Sequence, residues 1–588
     1  MQSNWDLSVF YKDFSDPALL ADIAAIQKLT SEGHDLLRAE MPAGRKLEAI
    51  VAHMETLSNK LSRAFLFCQL TLAVESENRE AFRTLEALSA LSVDTQVLQS
   101  AFTRFVGGVD DLDGVIAASP ALTQNAFALR EAKREAEHML PENLEKWMLR
   151  MSLSGGDAFQ KLRDQLMGTL TVELNGETLP LPAVRGMAYD PDPSVRRQAF
   201  EAELAAYPKV ALPMAFCLGG IKVEALTLCE ARRYPDVLTQ QLAESRMDPE
   251  TLTAMWEAVR EALPDFRRYL RAKAKLLGHS DGLPFYDLFA PVGNAVQKYT
   301  LPQARGLLLE TFGKAHPKMA EFMERAFDNR WIDLFPREGK EGGAFCAESH
   351  ELRLSRILTN FVGSFSDVST LAHELGHAWH AHCMENLPLM MAQPPMPLAE
   401  TASTFNETLL SHTVLADAEP EVAFGILEGI LMEATQCVVD IYSRYQFESA
   451  VFEARKTHTP AVEELQGMML AAQEEAYGDG LAKDTRHPDM WINKSHYYSV
   501  GLHFYNFPYA FGLLFGLGVF QKYQAAGAAF LPEYDALLAR CGSDTVANVA
   551  ASVGIDVRSV DYWRSALGVL RAQIDEFETL AASRRVFS

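Results

Sequence analysis

The chain has no C-x-x-C pair, no internal repeat and no low-complexity tract. The first absence excludes a cysteine metal knuckle or a redox dithiol, and the other two exclude a solenoid. Its seven cysteines (Cys68, Cys217, Cys229, Cys346, Cys383, Cys437, Cys541) are scattered without paired spacing, which fits a reducing compartment. Positive charge is in deficit: 54 Lys and Arg face 78 Asp and Glu, and a formal charge of −24 repels phosphate backbones and anionic lipid. Neither nucleic acid nor membrane is an expected partner. The most apolar stretch, Phe507 to Phe520, is shorter than the about 20 residues a bilayer span needs, and glycines break it. The opening MQSNWDLSVFYKDFSD has no basic region followed by an apolar run, so no signal peptide is expected and the chain reads as cytoplasmic.

What is present is mostly helix. A chain of 588 residues, 48% of them apolar, is long enough for several domains or one large enzyme. Apolar and charged residues alternate at helical spacing over Pro17–Glu40, Lys46–Glu75, Arg79–Phe105 and Ala121–Met151. In TVELNGETLPLP (Thr171 to Pro182) two β-prone segments flank Asn175-Gly176, the preferred pair for a two-residue hairpin turn. Prolines in AYDPDPSVRRQAFEAEL precede a new helix. The expected division is therefore an N-terminal helical domain over 1–185, ending in the hairpin, and a helical domain over 186–588. Within the second, Phe335 to Asp367 is glycine-rich, with β-prone runs at Ala344–Cys346 and Arg356–Val362 that suggest a small sheet.

Directly after that sheet comes TLAHELGHAWHAHCMENLPLMMAQPPMPLAETASTFNETL, Thr370 to Leu409. Ser366 or Asp367 is expected to cap a helix begun by Val368, with Gly376 a tolerated weak point. On such a helix His373 and His377 project from one face one turn apart, a spacing suited to one tetrahedral cation. Glu374 sits beside the first of them, where its carboxylate can reach a water at the metal without occupying the metal itself. His380 lies about 10 Å along the axis from His373, too far to share the ion. His380 and Cys383 also stand where a longer H-E-x-x-H-x-x-G-x-x-H pattern would need glycine and histidine. The better third ligand follows the prolines Pro394 to Pro397, which restart a helix at about Pro397 and place Glu400 on it. A His₂Glu set keeps the fourth zinc position for water, as catalysis requires. Glu407, two turns on, could orient a ligand histidine or face solvent.

These residues resemble the zinc oligopeptidases of the thimet oligopeptidase and oligoendopeptidase F group, and most of all the oligoendopeptidase F branch. The resemblance extends to GGDAFQKL, YDLFAPV, GKEGGAFC, ILTNFVGSFSDVSTLAHELGHAWH, LAETASTFNE and HYYSVGLHFYNFPYAFG, from about Ser154 to Gly512. It implies a mainly α, two-part, zincin-like metallopeptidase with a small β-sheet beside the H-E-x-x-H helix. It also implies a deep channel that admits short unstructured peptides and excludes folded proteins. One Zn²⁺ per chain is then held by His373, His377 and Glu400, with Glu374 as general base, and the role is peptide degradation. The downstream segment contacts substrate and stabilises the transition state, which points to His496, Tyr498, His503, Tyr505 and Tyr509. The branch usually carries more tyrosines after its histidine; here Phe507 and Pro508 interrupt the run.

An extended substrate also needs its backbone held, and the run Ile357 to Val362, with Gly342-Gly343 before Ala344, offers an edge for strand addition. Two other functions fit the same motifs. A zinc carboxypeptidase or dipeptidyl carboxypeptidase would need a basic residue for the terminal carboxylate, and Arg353, Arg356, Arg486 and Lys494 are candidates. A non-catalytic peptide-binding protein with structural zinc would need a fourth protein ligand. Cys383 is the nearest, about 9 Å along the helix from His377.

Overall fold

Helices begin where the sequence supplies an acceptor. Asp16, Asn78, Asp192, Asp236 and Asp248 each take a backbone N–H of the first turn, and proline follows directly after Asp16, Asp192 and Asp248. In the computed structural model, which describes residues 4–293 and 298–584, helices account for most of the chain. The strands are short: β1 (Thr171–Leu174), β2 (Glu177–Pro180), β3 (Ile332–Asp333), β4 (Phe345–Ser349) and β5 (Leu354–Leu358). Strands β1 and β2 form the expected hairpin, with Asn175 at φ 53° and Gly176 at φ 84°, the paired left-handed conformations of a type I′ turn.

The chain divides into two compact units of three segments each. Unit 1 comprises Met1–Met139, Gln297–Thr413 and Lys522–Val553; unit 2 comprises Leu140–Val296, Val414–Gln521 and Gly554–Ser588. In unit 1, helices Pro17–Arg38, Ala43–Val74 and Arg79–Gly107 bury Ile26, Ile50, Leu88 and Phe102 against one another. Phe345 and Ala347 of β4 pack on that cluster.

The small sheet of unit 1 has the order β3-β5-β4, with β5 parallel to β3 and antiparallel to β4. This corrects the expected edge. The strand ends at Leu358 and is the inner one, while β3 and β4 form the edges. The physical reason is burial: Ser355 to Leu358 are buried on both faces, as suits an inner strand rather than an exposed one. The glycine-rich loop before β4 is pinned by Lys340. Its buried ammonium donates to the Asp333 carboxylate at 2.7 Å and to the carbonyls of Phe335 and Thr359 at 3.0 and 2.6 Å. Asn360 adds bonds to the carbonyls of Glu341 and Gly343.

The motif helix runs Phe365–Met384, three residues longer at its start than expected. Ser364, not Ser366 or Asp367, is the cap: its hydroxyl accepts the Asp367 N–H, and the Asp367 carboxylate accepts the Ser364 N–H in return. A second bond from the Val362 N–H to Asp367 ties the helix start to the chain leaving the sheet. The opposite anchor comes from the last segment of the unit, where the Asp535 carboxylate receives Trp379 Nε1 at 3.3 Å and His316 Nε2 at 2.9 Å.

Unit 2 is helical apart from the hairpin and one isolated bridge, between Leu283 and Leu481, among the described residues. Two of its helical stretches, Ala211–Ala231 and Pro420–Arg455, are long and apolar enough to cross a membrane by length and composition. Both pack among other helices, and buried Lys222 of the first pairs with Glu448 of the second at 2.5 Å, as core helices do.

Candidate metal centre

Three donors converge in unit 1. His373 Nε2 and His377 Nε2 are 3.1 Å apart, and Glu400 Oε2 lies 3.4 Å from the first and 3.3 Å from the second. Atoms bound about 2.05 Å from a tetrahedral zinc would be about 3.3 to 3.4 Å from each other, so the donor set fits that ion without rearrangement. His373, His377 and Glu400 are the group of described residues arranged to hold a metal.

Glu400 does not sit inside a helix. It occupies the junction between the short turn Met396–Ala399 and helix Thr401–Asp417, with its carbonyl receiving the Thr404 N–H. The Ser403 hydroxyl donates to Glu400 Oε2 at 2.8 Å and fixes the carboxylate. Asn406 donates to the Ala372 carbonyl at 3.0 Å and binds this helix to the motif helix. The two approach closely only because residue 376 is glycine: a Cβ there would lie 2.7 Å from the Ala402 carbonyl oxygen and 2.7 Å from Ser403 Cα. The weak point read in the sequence is therefore a contact point.

Electrostatics favour a cation at this place. Burial opposes charge on His373, but Glu407, Glu374 and Glu400 outweigh it and hold the imidazole up at about 9. Burial pushes Glu400 the other way, yet His377 and His373 hold its carboxyl down at about 2. Glu374 is buried, and burial raises its carboxyl above the usual range against the pull of the two histidines. Glu407 Oε1 stands 3.4 Å from His373 Nδ1, on the ring nitrogen away from the donor set, a position from which a carboxylate can orient the imidazole. Replacing Glu407 with glutamine is expected to lower zinc affinity about 10- to 100-fold, read by competition with a chromophoric chelator. Unchanged affinity would remove Glu407 from that role.

The other histidines and cysteines near the motif stand outside the donor group. His380 is buried and held down at about 4 by burial; His382 Nδ1 meets Glu385 at 2.8 Å and stacks on Phe322. Cys383 is not part of the donor group. The sequence reading missed Cys346 and Glu348, alternate residues of β4 whose electrostatic neighbours are Glu374 and His377. Period-two alternation along β4, with Phe345 and Ala347 on the apolar cluster, was the available signal.

The downstream histidines and tyrosines lie in unit 2 and separate into two groups. Tyr505 and Tyr509 share a hydroxyl–hydroxyl contact of 2.6 Å, and the His496 ring is 6.1 Å from that of Tyr505. Burial and the cations Arg444, Lys494 and Lys222 hold His496 neutral, down at about 2. Tyr498 stands apart, fully buried, under the Arg163 guanidinium at 5.6 Å. His503 is buried as well, its Nδ1 3.2 Å from Lys222 Nζ. Glu448 accepts the Phe504 N–H and Gln241 the His503 N–H, so a buried ion pair and an amide clamp the loop that carries Tyr505. Phe507 and Pro508, which interrupt the tyrosine run, open helix Phe507–Ala526, where proline is tolerated.

Fold and donor set together define a mainly helical protein with a His₂Glu centre suited to a divalent cation. The profile of peptidase family M3 matches residues 186–569, and that of an Oligopeptidase F segment matches residues 108–171. The chain belongs to peptidase family M3. Among curated proteins it is 27% identical over 395 residues to an oligoendopeptidase F homolog of Lactococcus lactis; that match covers 66% of this chain and 64% of the relative. An oligoendopeptidase F homolog of Borreliella burgdorferi is 22% identical over 98% of both chains. Among solved structures, a candidate peptidase from Chlamydophila abortus superposes with a TM-score of 0.85 at 21% identity, covering 98% of each chain. Oligoendopeptidase F from Enterococcus faecium superposes with a TM-score of 0.69 at 18% identity, over 96% of this chain and 98% of that one.

Proposed function

We propose that this protein is a zinc-dependent oligoendopeptidase, one Zn²⁺ per chain, that hydrolyses internal bonds of short unstructured peptides and spares folded proteins. The observation that carries the reading is the convergence of His373, His377 and Glu400 at tetrahedral separations, with Glu374 beside them and outside the donor set. When bound, zinc supplies Lewis acidity that acidifies water and polarises a peptide carbonyl. Glu374 takes the proton from the attacking water, its raised proton affinity suiting a base that works near neutrality, and passes it to the leaving amine. Tyr505, Tyr509 and neutral His496 serve as hydrogen-bond donors to substrate and to the developing oxyanion. His503 acts through the loop, as a positioning residue, and Tyr498 through the packing beneath Arg163. The reading extends the two-part scaffold to a zincin-like enzyme with a substrate channel, and places it in the cytoplasm, with which the absence of disulfides among the described cysteines agrees.

Two of the cations that an exopeptidase could use are engaged by the protein itself. Arg356 is buried and bonds the carbonyls of Asp6 and Ser355, while Arg486 bonds Glu474 and the Gly478 carbonyl. Peptides of about 5 to 30 residues, blocked at both ends, test the proposal by mass spectrometry of the products. Internal cuts that a chelator abolishes, and that fade as length grows, are expected. Cuts only after the C-terminus is unblocked would replace the endopeptidase by a carboxypeptidase.

A further inference from the structure

Unit 2 contains a small pocket, open to solvent, that the reaction proposed above does not use. Phe200, Phe285, Tyr286 and Phe289 line it; the Phe200 ring stacks 5.8 Å from Phe285 and lies 5.7 Å from Tyr286. Such a wall takes a flat apolar group well.

Most of the charged lining is already paired. Arg185 is paired with Glu203, and buried Arg196 with Asp287 at 2.7 Å and with the carbonyls of Asp190 and Pro191. Asp440 is bonded to Arg444 and to the Tyr477 hydroxyl. That leaves Lys494, whose ammonium stands 3.8 Å from Asp440, beyond hydrogen-bond reach, with no hydrogen-bond partner among the described residues. The other charged groups of the lining (Arg185, Arg196, Glu203, Asp440) each have a partner of opposite sign within hydrogen-bond reach, and Lys494 is the lining cation that does not. Burial, against the pull of Asp440 and helped by Arg444 and Arg185, holds the Lys494 ammonium down at about 8.

We propose that this cavity binds a carboxylate carried next to an aromatic ring, with Lys494 pairing the carboxylate and the Phe200, Phe285 and Phe289 side chains receiving the ring. A bound carboxylate gives the Lys494 ammonium a charged acceptor within hydrogen-bond reach. A free aromatic amino acid and a peptide ending in an aromatic residue share this chemistry.

The test is isothermal titration of the full chain with N-acetyl-L-phenylalanine and with N-acetyl-L-phenylalaninamide, with and without chelator, so that carboxylate binding at a metal is separated. The acid is expected to bind about tenfold or more tighter than the amide in both conditions. Lys494→Met should abolish that preference, Lys494→Arg should keep most of it, and Phe289→Ala should weaken acid and amide alike. Equal binding of acid and amide by the wild type, a preference that chelator removes, or one that survives Lys494→Met would overturn the proposal. If Lys494→Met does not fold, loss of ring-dependent binding in Phe289→Ala decides. A pentapeptide ending in phenylalanine, free or amidated and added to Glu374→Gln, distinguishes the source: tighter binding than the acetylated amino acid identifies a peptide C-terminus, and equal binding a small acid. The assay reads binding, not hydrolysis, so it stands whether or not the peptidase reading holds.

Discussion

Glu374→Gln is expected to lower kcat on a blocked peptide by about 10²- to 10⁴-fold while the protein still carries one zinc per chain. Glutamine keeps the volume of the side chain and removes only its ability to take a proton. The position is buried at 5% exposure, so a change in size would disturb packing, but this exchange does not change size. Metal content should be unaffected because the three donors are His373, His377 and Glu400. Activity assays paired with elemental analysis separate the two effects. A variant that loses its zinc would move Glu374 into the coordination shell, and one that keeps near wild-type kcat would remove it from the chemistry.

The second large effect is expected at a residue with no side chain. Gly376→Ala places a methyl 2.7 Å from the Ala402 oxygen, 2.7 Å from Ser403 Cα and 2.9 Å from the Ala402 carbonyl carbon. All three are backbone atoms, which cannot rotate aside, so the segment bearing Glu400 and Ser403 must shift. Helix propensity alone favours alanine over glycine by about 1 kcal/mol. The overpacking cost of about 1 to 3 kcal/mol opposes it and is expected to win. The displaced carboxylate should weaken zinc binding by about tenfold or more, alongside a lowered Tm. Full zinc affinity and an unchanged or raised Tm would show that the two helices have room to separate without moving the ligand.

What could be read from the sequence was local. Two histidines four residues apart on a helix share a face whatever the rest of the chain does, and Asn175-Gly176 dictates its turn within four residues. Glu400 was legible because prolines announce a new helix start. The start of the motif helix was misplaced by three residues because Asp367 can serve either as cap or as the third residue of a capping box, and only the bond from Ser364 decides. The sheet edge was misjudged for a different reason: an apolar run fixes a strand's burial, not which neighbours it has. Least legible were interactions across long separations. Lys222 and Glu448 are 226 residues apart, and only their pairing reveals that His503 lies beside an ion pair and that Tyr505 rides on a clamped loop. Tyr498 and His503 have the same composition signal as Tyr505 and His496; three-dimensional burial alone separates them.

The three-segment construction of unit 1 bears on how the protein is made. Its candidate centre is encoded by residue 400, yet the Asp535 carboxylate that anchors Trp379 of the motif helix belongs to Lys522–Val553. At about 5 to 20 residues per second, a ribosome takes several more seconds to supply that segment, and unit 2 waits longer still for Gly554–Ser588. Each unit has all of its segments only late in synthesis. A chain interrupted before Lys522 therefore carries all three donors but not the carboxylate that anchors their helix, so the finished centre is a late product of synthesis.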